Sequence, residues 1–245
     1  LMKFFIQHTA YAITTEQSRF TLSGAKFEVE DNLVRMVATD GHRLAIVEKT
    51  IDQVANAGNL DVLIPKKALT ELVKLSGDST GTINFGEDKN NLFFVVDGKI
   101  LISRKLTGSF PNYKMVIPTK CDKIVKFDAE AMKMAVRRVA LMADDRQSSI
   151  RFLIKPNEIE ITAVSAEEGE ALEIIQAEYE GEETVLAFNW KYLVDALQVD
   201  LFDPETESND AKSELLCLEF KDNQKQVMFH PEANEYLSVI MPVRY

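Results

Sequence analysis

An internal repeat constrains the fold of this 245-residue sequence more than any other feature. One order of elements occurs twice: an amphipathic helix, alternating strands, a polar turn, a second helix and closing strands. The polar turns at Thr39 and Ser165, and the second helices at Pro65 and Trp190, recur about 125 positions apart. This period is too long for a solenoid, whose repeats span roughly 20–50 residues. The repeat therefore predicts an α+β fold of two tandem domains, each with two helices packed on antiparallel sheets.

The repeat predicts the domain bounds, and the spacing of apolar residues predicts the helices and strands. The first domain is predicted over residues 1–118 and the second over 119–245, with a linker at 119–123. Apolar residues at helical spacing predict helices over residues 2–13, 65–75, 129–142 and 190–197. Alternating apolar residues predict strands over 20–29, 43–48, 81–85, 92–96 and 100–106 in the first copy, and over 150–154, 159–161, 171–176, 214–220, 226–229 and 236–242 in the second.

The charge of the chain is divided unevenly between the two copies. The formal net charge is −11, and phosphates repel a uniformly acidic surface. Residues 1–117 carry 14 basic and 13 acidic side chains, a net of +1, whereas residues 118–245 carry 14 and 26, a net of −12. Many basic residues fall in or beside the predicted helices, where they form either a phosphate-binding stripe or ordinary exposed helix faces. These residues are Lys3, Lys66, Lys67, Lys74, Lys133, Arg137, Arg138 and Lys191.

The positions of the cysteines and the lengths of the apolar stretches indicate the cellular compartment. Cys121 and Cys217 lie far apart without a CxxC partner, which fits neither a zinc site nor a disulfide framework and favours a reducing compartment. No stretch approaches the roughly 18 apolar residues of a membrane span, so we expect a cytoplasmic protein without membrane contact. The chain begins inside an apparent helix and without an initiating Met, which suggests that a preceding segment has been removed.

Motifs for catalysis, metal or cofactor binding are weak. The sequence contains neither a GxxxxGK loop nor a GxGxxG fingerprint, and the carboxylates of residues 158–183 lack a DxDxDG loop. We therefore predict no enzyme activity, no metal and no cofactor. One alternative remains, a small hydrolase that uses Asp40, His42 and Ser79, although Ser79 lies in a predicted turn. Its competitor is a capped turn at residues 39–43 with Gly41 at positive φ and His42 exposed. His8 is predicted in a helix and His230 in a loop, both without a catalytic role.

Three motifs carry a resemblance to a known family. They are ATDGHRLA at residues 38–45, GSFPNY at 108–113 and MPVR at 241–244. In order and spacing they resemble the bacterial sliding clamp, the beta subunit of DNA polymerase III, over essentially the whole chain. Chains of that family hold three units, and this one resembles the second and third, so the first is expected to be absent.

The resemblance implies a function as a non-enzymatic processivity factor. Family members form a ring of two three-unit chains joined head to tail, with double-stranded DNA threaded through a hole lined by helices. Leu141 and Met142 match the family's dimer interface, so the full-length protein is expected to be a homodimer and this chain alone a monomer. The residues that the resemblance and the basic helices assign to DNA are Arg19, Phe20, Lys66, Lys67, Lys133, Arg137, Arg138 and Lys191.

The resemblance also implies a cleft between the second and third units. Polymerase, clamp-loader subunits and repair proteins insert a short extended peptide there. The matching residues, called the cleft set below, are Leu22, Thr39, Gly41, His42, Arg43, Leu44, Pro111, Met115, Val116, Val239, Met241, Pro242, Val243 and Arg244. The chain departs from the family pattern at Met115, at polar residues 223–226 and at the final Tyr245. A peptide-binding adaptor without a DNA role, whose basic residues scatter over several faces, is a further alternative.

Overall fold

The computed structural model describes residues 1–16, 18–54, 58–77, 81–143, 148–165, 169–198, 215–231 and 235–244, with the backbone alone at Gln53. The chain forms two compact units, residues 1–112 (unit 1) and 113–245 (unit 2). Unit 1 ends a few residues before the predicted domain boundary. Within the described residues, no helix has the length and apolar character that crossing a bilayer requires.

Unit 1 follows the predicted order of helix, strands, helix and strands. Its elements are α1 Met2–Thr9, β1 Gly24–Glu30, β2 Leu33–Thr39, β3 Arg43–Thr50, β4 Leu60–Pro65, α2 Lys66–Ser76, β5 Asn84–Glu87, β6 Asn91–Val96 and β7 Lys99–Arg104. Strands pair antiparallel in the order β4-β1-β2-β3 in one sheet and β5-β6-β7 in another. Short 3₁₀ turns lie at Ala10–Ala12, Phe20–Leu22 and Asp52–Val54.

Apolar spacing explains how the helices of unit 1 pack. Helix α2 buries Ala68, Leu69 and Leu72, and Leu72 lies three and four positions after the other two, on the same face. A chain of aromatic rings then connects the two sheets. The Phe27 ring on β1 is 6.5 Å from the Phe85 ring on β5, which is 5.2 Å from the Phe94 ring on β6. Both sheets therefore contribute to one core.

Unit 2 repeats this order with one additional strand. Its elements are β8 Lys123–Asp128, α3 Ala129–Ala140, β9 Ser149–Lys155, β10 Glu158–Ser165, β11 Gly169–Glu178, β12 Thr184–Asn189, α4 Trp190–Leu197, β13 Leu215–Phe220, β14 Val227–Pro231 and β15 Tyr236–Ile240. The strands pair antiparallel in the order β12-β9-β10-β11-β8-β13-β14-β15. A 3₁₀ turn at Tyr113–Met115 precedes them.

Side-chain caps begin both helices of unit 2. Asp128 accepts a 2.7 Å hydrogen bond from the amide of Ala131, and Asn189 accepts a 3.0 Å hydrogen bond from the amide of Lys191. Each cap satisfies one of the amides that a helix leaves without an internal partner at its start. The Phe188 ring, at the end of β12, lies 5.4 Å from Phe152 and 5.9 Å from Phe229, so the core spans the sheet.

The α+β fold with tandem units is confirmed, whereas several predicted elements are wrong in detail. Residues 20–22 form a 3₁₀ turn and not the start of a strand. Strand β1 begins at Gly24, where a Cβ would lie 2.1 Å from the carbonyl oxygen of Ile64, so the backbones approach too closely for a side chain. Pro65, predicted as the first helical residue, ends β4 and is the N-cap residue of α2.

Other differences concern element ends and short strands. Helix α1 ends at Thr9 and continues only as a 3₁₀ turn, and α3 ends at Ala140, so Leu141 and Met142 lie just beyond it. The predicted linker 119–123 ends inside β8. His230, predicted in a loop, lies in β14, where its Nε2 is 3.1 Å from Oε1 of Glu219. Strands β2, β4, β8 and β12 were not predicted.

Candidate functional site

The loop between β2 and β3, residues 39–43, is held by its own side chains. The Thr39 hydroxyl donates to the carbonyl of Arg43 at 2.6 Å and accepts from the amide of Gly41 at 3.1 Å. Asp40 Oδ1 accepts from the amides of His42 and Arg43 at 2.9 and 3.0 Å. Gly41 has φ of 91° and His42 is exposed. The predicted capped turn with Gly41 at positive φ is therefore confirmed.

The Arg43 side chain connects this loop to the 3₁₀ turn Ala10–Ala12, which follows α1. Its Nε donates to Oδ2 of Asp40 at 3.1 Å, and its Nη2 donates to the carbonyl of Tyr11 at 2.7 Å. The guanidinium also lies over the Tyr11 ring, 5.2 Å from its centre. Tyr11 could not be predicted as a partner of Arg43, because any residue type can supply a backbone carbonyl that accepts a hydrogen bond. Arg43 is half-buried, and its hydrogen bonds support the loop.

Arg19, assigned to DNA by the resemblance, packs on the same loop. Its Nη1 donates to the carbonyl of Asp40 at 2.6 Å, and its Nε lies 3.2 Å from Oε2 of Glu16. A Cβ added at Gly41 would lie 2.5 Å from Arg19 Nη1. Glycine suits position 41 because of the positive φ, and a larger residue there would also require the exposed Arg19 side chain to move.

The cleft set divides into buried and exposed side chains. In unit 1, Leu44 and Thr39 are buried, whereas Gly41, His42 and Pro111 are exposed and Leu22 and Arg43 are half-buried. Leu44 is only 2% exposed, so it supports the loop from beneath.

In unit 2 the same division applies to the cleft set. Val239 is 1% exposed, whereas Met115 is 82% exposed and Met241 is 38% exposed. Val116, Val243 and Arg244 are exposed and Pro242 is half-buried. Tyr245 lies outside the described residues. So does Ser79, one of the three residues that the alternative hydrolase would use. The carboxylate of Asp40, which that hydrolase would need, bonds the Arg43 side chain and two loop amides.

The residues assigned to DNA differ in whether an acidic side chain already pairs with them. Arg138 forms a bidentate ion pair with Glu173 at 2.7 and 2.9 Å. The hydrogen bonds from Arg138 hold the pKa of Glu173 below its ordinary value and, reciprocally, raise the pKa of Arg138. Lys133 Nζ lies 2.8 Å from Oε2 of Glu130. These two cations are partly neutralised within unit 2.

Four other basic residues of the same set have no ion pair in the part of the chain that the structure describes, whereas Arg19 pairs with Glu16. Among the described residues, no ion pair involves Lys66, Lys67, Arg137 or Lys191. Lys67, Arg137 and Lys191 are exposed and Lys66 is half-buried. Phe20 is also exposed, and Lys191 Nζ lies 5.5 Å from the centre of the Trp190 ring. The two residues assigned to the dimer interface follow α3, with Leu141 exposed and Met142 half-buried.

Potential metal ligands and thiols are separate from these residues. Within the described ranges, no three His, Cys, Asp or Glu side chains are grouped so that they could hold a metal ion. Burial and the nearby carboxylates of Glu219 and Asp122 raise the pKa of the Cys121 thiol. A raised pKa disfavours the thiolate, which is the form of cysteine that acts as nucleophile or metal ligand.

Two copies of one module, each with two helices packed on antiparallel strands, define a clamp-type repeat protein. The chain belongs to the DNA polymerase III beta subunit family: the family model of the central domain matches residues 1–112, and that of the C-terminal domain matches residues 114–244.

Individual relatives support the same assignment. The beta sliding clamp of Haemophilus influenzae is 37% identical over 194 residues, which cover 78% of this chain and 52% of the relative. That of Escherichia coli K12 is 30% identical over 246 residues, which cover 99% and 63%. A crystal structure of the Pseudomonas aeruginosa DNA polymerase sliding clamp superposes with a TM-score of 0.89 at 27% identity, covering 100% of this chain and 64% of that one. The chain thus spans between half and two thirds of the length of these relatives.

Proposed function

We propose that this chain is the central and C-terminal part of a sliding clamp, a non-catalytic cytoplasmic factor that encircles double-stranded DNA. The observation that carries the proposal is the match of both units to consecutive domains of one family. In the complete protein, Leu141 and Met142 would contact a second subunit of a homodimeric ring. The exposed Leu141, 77% accessible just after α3, is an apolar side chain available for such a contact.

DNA would be held by side chains that are free to meet phosphates. Lys66, Lys67, Arg137 and Lys191 suit this role because they carry no internal ion pair among the described residues. Contacts to phosphates position a duplex without reading its sequence, and they weaken as salt rises. That behaviour fits a clamp that slides.

The cleft set would bind short peptides of polymerases, clamp-loader subunits and repair proteins. In this proposal the loop 39–43, which Asp40 and Arg43 hold in place, would supply one part of the peptide site, and the segment 241–244 would supply the exposed side chains of Met241 and Val243. Met241 suits a role as an adaptable anchor contact, because an unbranched thioether can fit different apolar side chains. A few anchor contacts of this kind supply most of the affinity of a peptide site.

Titration of a fluorescent peptide of the Gln-Leu-x-Leu-Phe type by anisotropy tests this proposal. Met241→Ala should weaken binding by roughly ten- to thirtyfold, the range for loss of an interface anchor. Met134→Ala is the matched control, because Met134 is a comparably exposed methionine (44%) on α3 and outside the cleft set. It should bind as the parent chain does. Absence of saturable binding to the parent chain, or full affinity in Met241→Ala, contradicts the proposal.

A further inference from the structure

The segment that follows the last strand of unit 2, residues 241–244 (the tail), is bonded back to an earlier strand of the same unit. The amide of Val243 donates a 2.7 Å hydrogen bond to the carbonyl of Ala187 (the clasp). Beyond the end of β15, the clasp therefore contributes to the position of the tail.

The acceptor of the clasp belongs to a rigid part of unit 2. Ala187 is buried in β12 and pairs with Arg151 of β9. Two residues later, Asn189 caps α4 with its side chain. Strand pairing on one side and a capped helix directly after it leave the Ala187 carbonyl little freedom to move.

The clasp fixes Met241 from its C-terminal side. On the N-terminal side, Ile240 pairs with Val227 of β14 and is fully buried. Between Met241 and the clasp stands Pro242, whose ring restricts φ to about −65°. The backbone of Met241 is thus held at both ends, while its side chain stays 38% exposed.

We propose that Val243 is a positioning residue of the peptide site through its backbone amide, separately from any contact that its side chain makes with the peptide. The inference rests on the proposed peptide-binding function. Fixing the backbone of one residue costs roughly 1–2 kcal/mol of conformational entropy. A tail ordered before the peptide arrives does not incur this cost at binding, which improves affinity independently of the Val243 side chain.

Replacing the Val243 amide by an ester tests this directly, because the change removes the donor and keeps the side chain. A synthetic peptide covering residues 217–245 begins at the native Cys217 and can be ligated to a thioester of residues 1–216. An all-amide chain made in the same way is the reference. The ester should weaken binding of the Gln-Leu-x-Leu-Phe peptide about three- to tenfold, the typical effect of one hydrogen bond. The urea transition followed at Trp190 should remain cooperative, with a midpoint only slightly below that of the reference, because the same hydrogen bond also contributes to stability.

Two recombinant variants keep the inference testable if the ligated chain refolds poorly. Val243→Ala keeps the amide, so its effect measures what the side chain contributes. Val243→Pro also removes the donor and should bind about three- to tenfold more weakly than Val243→Ala. Methyl NMR follows the methyl group of Met241, whose signal is assigned with Met241→Ala. Its chemical shift should move towards an average over several environments only in the ester chain and in Val243→Pro, which lack the Val243 amide.

The outcomes separate this inference from the function on which it rests. If the all-amide chain and the parent do not bind the peptide, the proposed function fails. If they bind and the ester chain or Val243→Pro binds equally well, only the role of the clasp is overturned. A loss in Val243→Ala as large as that in Val243→Pro would assign the effect to the side chain, and this also overturns the inference.

Discussion

Unit 1 and unit 2 share one order of elements but join their strands differently. Among the described residues, the strands of unit 1 lie in separate sheets that meet through the Phe85 ring, whereas β8 of unit 2 pairs with both β11 and β13. Side chains of Asp128 and Asn189 cap α3 and α4, while α1 and α2 begin without a side-chain cap bond. The same module is therefore held together by core packing in one copy and by continuous backbone pairing in the other.

The units also differ in how they use charge. On α3, Lys133 and Arg138 pair with acidic side chains of unit 2, whereas Lys66 and Lys67 at the start of α2 have no such partner in the described part of the chain. Each unit also holds the other kind of cation, since Arg19 of unit 1 pairs with Glu16, and Arg137 and Lys191 of unit 2 have no ion pair among the described residues. Net charge alone is a poor guide to a phosphate-binding surface, because pairing decides which cations are available.

The largest expected effect concerns the strand that joins the sheet of unit 2. Phe127 of β8 is fully buried and pairs with Ala177 on one side and Leu216 on the other. Phe127→Ala should lower the free energy of unfolding of unit 2 by about 3–5 kcal/mol, because it leaves a cavity at this junction. The single tryptophan of the chain, Trp190, lies in unit 2, so urea titration followed by its fluorescence measures the loss.

A matched core variant in unit 1 sharpens the comparison. Phe94 on β6 is also fully buried, and Phe94→Ala should lower the stability of unit 1 by a similar amount. Circular dichroism should record this loss, while the Trp190 transition stays at the position of the parent chain. If both variants shift both signals equally, the chain unfolds as one cooperative body and the two units are not independent in stability.

Much of this architecture could be predicted from the sequence because the repeat and the helical periodicity are local signals. Helix α4 was predicted over its observed residues, Trp190–Leu197, and the loop at Gly41 was predicted with its positive φ. Apolar spacing and Thr, Asp and Gly turn chemistry act over a few residues and are visible in one sequence.

The missed features depend on contacts between residues far apart in the chain. Strand β8 is short, and its partner β13 lies about 90 positions later, so nothing local identifies it. Phe20 and Leu22 alternate as in a strand, but the close approach at Gly24 decides where β1 starts. Within the candidate site, the supports of the loop and tail are the carbonyls of Tyr11 and Ala187, which are independent of side-chain type.

A moderate effect is expected when the unpaired cations of unit 1 are removed. Lys66→Gln with Lys67→Gln should weaken duplex DNA binding severalfold at about 50 mM salt. The slope of log K against log salt should fall in magnitude by about 1.8, because each lost phosphate contact contributes roughly 0.9. Anisotropy with a labelled duplex over a series of salt concentrations measures both quantities.

The control for this prediction comes from the paired cations of unit 2. Lys133→Gln removes a charge that Glu130 already partly neutralises, so its effect per charge on the slope should be smaller. An equal reduction of the slope per charge would mean that the ion pair between Lys133 and Glu130 breaks when DNA binds. An unchanged slope in the double variant would exclude Lys66 and Lys67 from phosphate contact.

The smallest expected effect concerns the pH dependence of the Arg138–Glu173 pair. Because Arg138 lowers the pKa of Glu173 in the folded chain, the pair stabilises unit 2 above the unfolded glutamate pKa of about 4.3. This stabilisation is lost as pH falls through the lowered pKa. Glu173→Gln should therefore be slightly less stable than the parent at pH 7, and the difference should shrink towards pH 3.

Urea titrations of Trp190 fluorescence at several pH values measure this difference. Glu170→Gln is the matched control, since Glu170 lies on the same strand, is exposed and has no ion pair among the described residues. Its difference from the parent should be smaller and nearly constant with pH. If Glu173→Gln and Glu170→Gln follow the same curve, the bidentate pair contributes nothing measurable, and the unpaired and paired cations of the two units differ in geometry but not in energy.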